Sequence, residues 1–322
     1  MNIIFAGTPE FASRHLEILL NSNMKISCVL TQPDRVSGRG KRVTYSPVKQ
    51  LALDNGLKLL QPSSLKDDGV VQEIKFLKPD IMLVVAYGLI VPKEILSIPE
   101  IACINVHGSI LPKWRGASPM EYSILNGDKK TGLSYMQMTE GLDEGPVYDI
   151  HECPIEPNDR LKDVEKKLIE LSENNLIKFL KSINKGDVDA TPQKDKNATF
   201  APKILKKDLQ IDWGNITSND LVKRVNSLAD KYGVHTYLGT KRIKIFDVTE
   251  TKLSYSSTPG DINLSDGKII VCCKEETHVE INTLQMEGKN PVSCKEFISA
   301  YEDLLKDSQK FNRKRVINND VS

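Results

Sequence analysis

Asp80-Ile81-Met82-Leu83-Val84-Val85-Ala86 is an apolar run with no polar residue between its ends. A strand with one wet face alternates apolar and polar residues. An uninterrupted run is therefore covered on both faces, as in a parallel sheet sandwiched between helices. The sequence on either side repeats the theme. Ile3-Ile4-Phe5-Ala6-Gly7 reads as a buried strand, and Ile26-Ser27-Cys28-Val29-Leu30 as a second. Between them Phe11 to Leu20 reads as a helix, with Phe11, His15, Leu16, Leu19 and Leu20 near one face. Ala102-Cys103-Ile104-Asn105-Val106 adds another strand. This alternation predicts an α/β fold: an open, doubly wound, mostly parallel sheet of Rossmann-like form. In such sheets the ligand sits beyond the carboxyl ends of the strands, which draws attention to whatever follows residue 105.

The second half reads differently. Residues 159 to about 184 predict one long helix, with Leu161, Val164, Leu168, Leu171 and Leu176 at roughly helical spacing. Asn184 to Phe200 is polar and reads as a connecting segment. Beyond about 208 come short runs such as Lys241 to Asp247 and Lys268 to Cys273, which predict a smaller β-rich domain with helices near 217–229 and 293–304. The expected organisation is thus a first domain over 1–188, a linker over 189–208 and a second domain over 209–315, and the length of 322 residues suits two domains.

Composition narrows the class. Hydrophobic residues make up 39% and charged residues 27%, ordinary for a soluble globular protein. The formal net charge is +1, so a polyanion must be met by a local patch rather than by the field of the whole molecule. Six cysteines at 28, 103, 153, 272, 273 and 294 form no C-x-x-C pair; no metal site and no disulfide framework is expected of them. The chain shows neither a signal peptide nor a membrane span, so a cytoplasmic protein is expected. Without a heptad seam or large apolar stripe, a monomer is expected.

The chemistry concentrates after residue 105. Asn105 and His107 are two apart and so point to the same side of an extended chain. Gly108 and Pro112 set a turn in which backbone approaches a ligand. A carboxylate, Asp143, lies in the glycine-flanked loop Gly141-Leu142-Asp143-Glu144-Gly145. An amide, an imidazole and a carboxylate together suit acyl transfer: one stabilises a tetrahedral oxyanion while the others move a proton. Each alone has an ordinary structural reading, a strand-end histidine or a turn aspartate. Gly7-Thr8-Pro9 lacks the G-x-G-x-x-G glycines, which excludes a dinucleotide site there.

Together these residues resemble the catalytic set of the folate-dependent formyltransferases: Asn105, His107, and Asp143 in a Gly-Leu-Asp-x-Gly loop. Ser109-Ile110-Leu111-Pro112 followed by Arg115-Gly116 and Pro119 is similar to the family's S-L-L-P-x-x-R-G-x-x-P signature, with Ile110 in place of the usual Leu. Further segments from Phe5–Phe11 to Leu284–Lys289 extend the resemblance over nearly the whole chain, toward the branch whose acceptor is methionyl initiator tRNA. One departure is Arg224-Val225-Asn226-Ser227-Leu228-Ala229, where relatives carry a Pro- and Trp-rich turn.

The resemblance implies 10-formyltetrahydrofolate as donor and co-substrate, with no metal. It implies that Asn105 holds the developing oxyanion, that His107 assists by hydrogen bonding or proton transfer, and that Asp143 orients His107 and a relaying water. Ser109, Ile110, Leu111 and Pro112 would line the folate site, and the backbone of Tyr87 to Val91 would face the pterin. The acid-free stretch from Arg35 to Lys49 holds Arg39, Lys41 and Arg42, which would contact tRNA phosphates. The second domain would resemble an OB-fold barrel that also meets tRNA. The rival reading keeps the reaction and changes the acceptor to the amine of a sugar nucleotide.

Overall fold

The computed structural model describes residues 1–37, 42–255 and 257–312. The chain divides into two compact units. The first comprises Met1–Met120, Lys129–Ile155 and Lys162–Pro202; the second comprises Glu121–Asp128, Glu156–Leu161 and Lys203 onward.

The first unit opens with β1 (Asn2–Gly7), α1 (Glu10–Leu20) and β2 (Lys25–Leu30). Pro9 stands in extended conformation at the start of α1, where its missing N–H costs nothing. A hairpin of β3 (Arg35–Ser37) and β4 (Arg42–Thr44) follows, with Arg35 opposite Thr44. Next come α2 (Pro47–Asp54), β5 (Leu59–Leu60), α3 (Asp68–Leu77) and β6 (Ile81–Val85). Ser46 caps α2 by accepting the Lys49 N–H, and Asp67 caps α3 by accepting that of Val70. The remaining elements are α4 (Lys93–Leu96), β7 (Ala102–His107), α5 (Pro119–Leu125), β8 (Lys130–Gln137), β9 (Val147–Pro154) and the long α6 (Leu161–Lys185). The last residues of α5 and the first of α6 lie outside the first unit.

The seven-stranded sheet runs β5-β2-β1-β6-β7-β8-β9. β5 through β7 along this order pair in parallel, while β8 and β9 join antiparallel. The doubly wound, mostly parallel sheet expected from the apolar runs is therefore present, with an antiparallel edge. Every residue of β6 is buried, which is why it reads as a run without alternation. The carboxyl ends of β1, β6 and β7 carry the loops that begin at Thr8, Ala86 and Gly108.

The second unit is built on a curled antiparallel sheet, a half-barrel. Helix α7 (Ser218–Tyr232) precedes β10 (His235–Leu238), β11 (Lys241–Thr251), β12 (Ile262–Ser265), β13 (Lys268–Cys272), β14 (His278–Met286), β15 (Val292–Ser293), α8 (Cys294–Ser308) and β16 (Phe311–Asn312). The strands run β12-β13-β14-β11-β10-β16, with β15 on β14. Its core gathers Trp213, Val225, Ile243, Ile281, Phe297 and Phe311. Residues 224–229 lie inside α7, which contains no proline to interrupt it. Among the described residues no helix is long and apolar enough to cross a membrane.

Candidate active site

β7 delivers Asn105 and His107 to one side of its carboxyl end, as period-two geometry requires. The Asn105 amide nitrogen donates to Asp143 Oδ1 at 3.3 Å. His107 Nδ1 lies 3.6 Å from Asp143 Oδ2. The same Oδ2 accepts the Gly116 backbone N–H at 2.8 Å. The three side chains singled out from sequence are thus brought together, Asn105 and His107 both meeting the carboxylate of Asp143. The His107 and Asp143 side chains are 5% and 15% exposed, so the cluster is shielded yet open at the carboxylate.

The tautomer of His107 follows from its other partner. Nε2 is 3.0 Å from the Trp114 carbonyl oxygen. A carbonyl only accepts, so Nε2 carries the hydrogen and Nδ1 faces Asp143. A proton arriving at Nδ1 would sit opposite the carboxylate.

The turn after β7 is pinned by one hydroxyl. Ser134 Oγ donates to the Ser109 carbonyl at 2.7 Å and accepts the Leu111 N–H at 3.1 Å. The Ser109 hydroxyl donates to the Lys113 carbonyl at 2.6 Å, and the Leu111 side chain packs with Met136 and Val147. Both side chains are therefore directed into the fold. Of the four residues expected to line a ligand, Ile110 and Pro112 keep part-exposed side chains.

The loop after β6 is braced from two directions. The Tyr87 carbonyl accepts from Thr8 Oγ1 at 2.9 Å and from Gln32 Nε2 at 3.0 Å. Ala86 sits at φ 45° and Gly88 at φ 82°, where a Cβ on residue 88 would run into Gln32 Nε2. The two bonds fix the Tyr87 backbone beyond the carboxyl end of β6, the edge at which open α/β sheets bind ligands.

The base of the β3–β4 hairpin is tied down by a partly buried ion pair, Lys49 Nζ to Asp34 Oδ2 at 2.6 Å. Gln61 Nε2 also donates to Asp34, at 3.0 Å. The hydrogen bonds from Lys49 and Gln61 hold the Asp34 carboxyl below its usual range. Of the three basic residues expected to meet tRNA, Arg39 and Lys41 lie outside the described residues, and Arg42 opens β4.

Further residues complete the cluster. Gly116 supplies the N–H that holds Asp143, and it stands in the R-G step of the signature. Gln193 donates to the Asp143 and Gly145 carbonyls at 2.8 and 2.7 Å. Nothing in the local pattern around Gln193 marks it, because it lies 50 residues from the loop it holds. Among the described residues no group of His, Cys, Asp and Glu is arranged to hold a metal ion.

An amide, an imidazole and a carboxylate thus meet at the carboxyl end of β7, and comparison with known proteins places the chain in a family of group-transfer enzymes. The formyl transferase family model matches residues 1–180, and that of the formyl transferase C-terminal domain matches residues 203–302. The chain belongs to the formyl transferase family, and is an enzyme of that class. It is 40% identical over 306 residues to methionyl-tRNA formyltransferase of Pseudoalteromonas translucida (strain TAC 125), covering 94% of this chain and 95% of the relative. It is 37% identical over 314 residues to methionyl-tRNA formyltransferase of Marinobacter nauticus, covering 97% of this chain and all (100%) of the relative. Among solved structures, HypX from Aquifex aeolicus in complex with tetrahydrofolic acid superposes with a TM-score of 0.65 at 16% identity. That match covers 96% of this chain and 48% of HypX, so the chain spans about half of that protein and shares its fold.

Proposed function

We propose that this protein transfers the formyl group of 10-formyltetrahydrofolate to the α-amino group of methionyl initiator tRNA, in translation initiation. The observation that carries the reading is the convergence of Asn105, His107 and Asp143 at the carboxyl end of β7, with Asp143 bonded to Asn105 and facing His107 Nδ1. The two curated relatives, both methionyl-tRNA formyltransferases, support the acceptor.

The reaction needs little from the protein beyond placement and a proton path. The α-amino group of an aminoacyl ester titrates far below lysine's value of about 10.4, so it attacks as a free amine. Its nitrogen bonds to the formyl carbon, the carbonyl oxygen becomes an oxyanion, and the bond from carbon to N10 of the folate then breaks. The amine loses one proton and N10 gains one. An amide nitrogen has two hydrogens. With one on Asp143, the other hydrogen of Asn105 is directed to the oxyanion. Asp143 takes the amine's proton through a water, His107 Nδ1 shares it, and the proton passes on to N10 as the bond from carbon breaks, so both groups end as they began. Holding donor and acceptor together is worth roughly 7–11 kcal/mol in well-oriented systems. The part-exposed Ile110 and Pro112, with the backbone of Ser109 and Leu111, would border the folate, and the braced loop at Tyr87–Val91 would face its pterin. Arg39, Lys41 and Arg42 would contact phosphates of the acceptor end.

The test is incubation with formyl-folate and charged initiator tRNA, with uncharged tRNA and an amino sugar nucleotide as controls. Formyl-methionine on the charged tRNA alone is expected. Formylation of the sugar nucleotide without formylation of tRNA would transfer the activity to the rival acceptor.

A further inference from the structure

We propose that Gln193 is a positioning residue for Asp143, anchored in turn by Arg115, so that the segment Thr191–Ala201 is a working part of the active site rather than a passive connection. The inference rests on reading Asp143 as catalytic.

The need for such a residue is local. Asp143 adopts φ 50°, a left-handed conformation that side-chain-bearing residues rarely take. It sits between glycines at 141 and 145, which give the loop no rigidity of their own. A carboxylate that must face both Asn105 and His107 needs its backbone fixed from outside. Gln193 does this: its amide nitrogen donates to the carbonyls of Asp143, at 2.8 Å, and Gly145, at 2.7 Å.

The amide oxygen is held equally well. It accepts from Arg115 Nε at 3.1 Å and from Nη2 at 2.9 Å. Arg115 is 5% exposed, and its Nη2 also reaches Asp195 at 2.8 Å. Both hydrogens and both lone pairs of the Gln193 amide are thus engaged, which leaves the side chain one orientation.

The backbone on either side of Gln193 is stitched to the same two loops. Thr191 and Val147 exchange hydrogen bonds of 2.9 and 2.8 Å, just past the Asp143 loop. Farther on, Trp114 N–H donates to Thr199 Oγ1 at 2.9 Å, Arg115 N–H to the Thr199 carbonyl at 2.9 Å, and Ala201 N–H to the Arg115 carbonyl at 2.8 Å. Those residues of the second loop carry the Trp114 carbonyl that fixes His107 and the Gly116 N–H that fixes Asp143. One segment therefore sets the distance between the loop holding the histidine's partner and the loop holding the carboxylate. Displacement of a reacting group by about 1 Å can cost on the order of 100-fold in rate.

The discriminating variant is Gln193→Glu. It matches glutamine in shape and keeps an oxygen for Arg115, but sets a charged carboxylate oxygen against the Asp143 and Gly145 carbonyls in place of the two hydrogens. We expect kcat for formyl transfer to fall about 10- to 100-fold, with both KM values within about twofold of the parent. Its unfolding should stay cooperative with a lowered thermal midpoint, and the loss of kcat should persist at temperatures far below that midpoint. In a Gln193→Glu/Asp143→Asn double variant, turnover should be no lower than in Asp143→Asn alone, because Gln193 acts through Asp143. Should Gln193→Glu fail to fold, Gln193→Met, of equal length and uncharged, carries the same comparison. Parental kcat in the Gln193 variant while Asp143→Asn is inactive would overturn the inference and leave the reading of Asp143 intact. Losses that multiply in the double variant would overturn it as well. Parental turnover in Asp143→Asn would remove both.

Discussion

Asp143 Oδ2 stands 3.6 Å from His107 Nδ1 and accepts the Gly116 N–H at 2.8 Å. One carboxylate oxygen is thus shared between the imidazole that would receive a proton and the backbone that keeps the carboxylate in place. The other oxygen faces the Asn105 amide at 3.3 Å. Asn105 and His107 come from the end of β7, the Gly116 N–H from the segment that follows it, and Asp143 from the loop after β8. Their meeting depends on the antiparallel pairing of β8 against β7, which sets Asn105 opposite Met136 and His107 opposite Ser134.

Gly116→Ala tests the backbone contact. Gly116 has φ 125°, and a Cβ there would lie 2.6 Å from the Ala201 carbonyl oxygen. Both the conformation and the contact oppose a side chain. The variant should lose about 1–3 kcal/mol of stability by denaturant unfolding, and more activity than that loss accounts for. A stable, fully active Gly116→Ala would show that this N–H does not hold Asp143 in a required position.

His15 should make stability pH-dependent. It is fully buried in α1, donating Nδ1–H to the Phe11 carbonyl and accepting from Ser172 Oγ, both at 2.7 Å. Burial drives its pKa from 6.5 down to about 4, against the raising effect of the Phe11 carbonyl. Between those values the unfolded chain binds the extra proton and the folded chain does not. Stability from this group is therefore complete above pH 6.5, falls as pH drops toward 4, and is level below. At about 1.4 kcal/mol for each unit of pH, the loss is about 3 kcal/mol. His15→Gln should remove this slope from the unfolding free energy, whatever it does to absolute stability.

The cysteines should separate sharply by reactivity. Cys28, Cys103, Cys272, Cys273 and Cys294 are buried, and Cys153 is part-exposed. Burial pushes the thiols of Cys28, Cys103 and Cys273 up to about 12, so their thiolates are scarce at neutral pH. A thiol reagent at pH 8 should titrate one fast equivalent in the native protein and six after unfolding. Cys153→Ser should abolish the fast phase.

Replacement of Arg39, Lys41 and Arg42 by Ala should raise KM for tRNA and leave KM for folate unchanged. If the three contact phosphates of an unpaired acceptor end, the log–log dependence of tRNA affinity on salt should become shallower by about 2. An equal rise in both KM values would indicate a folding defect instead.

Much of this was legible because the core strands are buried on both faces. Ile3–Gly7, Ile81–Val85 and Ala102–Val106 stand out as mostly apolar runs, and their ends point to the candidate site. The helices α1, α6, α7 and α8 were legible from spacing, within a few residues at each end. β9 was not: Val147–Pro154 is an edge strand of mostly half-exposed residues, among them Tyr148, Asp149 and His151, and carries no apolar run. The polar stretch beginning near 189 reads as a linker for the same reason. Thr191, Gln193 and Thr199 take their places through hydrogen bonds to residues 44 to 85 positions away, and no local periodicity records such bonds. Likewise Ser109 and Leu111 belong to a signature, yet only the fold shows their side chains turned inward.

The central claim is that Asn105, His107 and Asp143 act as one unit on a single formyl carbon. Single-turnover formyl transfer to charged initiator tRNA should be measured for Asn105→Ala, His107→Ala, Asp143→Ala and the triple variant, each checked for native unfolding behaviour. Each single change should slow transfer by about 100-fold or more, and the triple variant should be hardly slower than the worst single one. A near-parental rate in any of the three, or losses that multiply in the triple variant, would contradict the account.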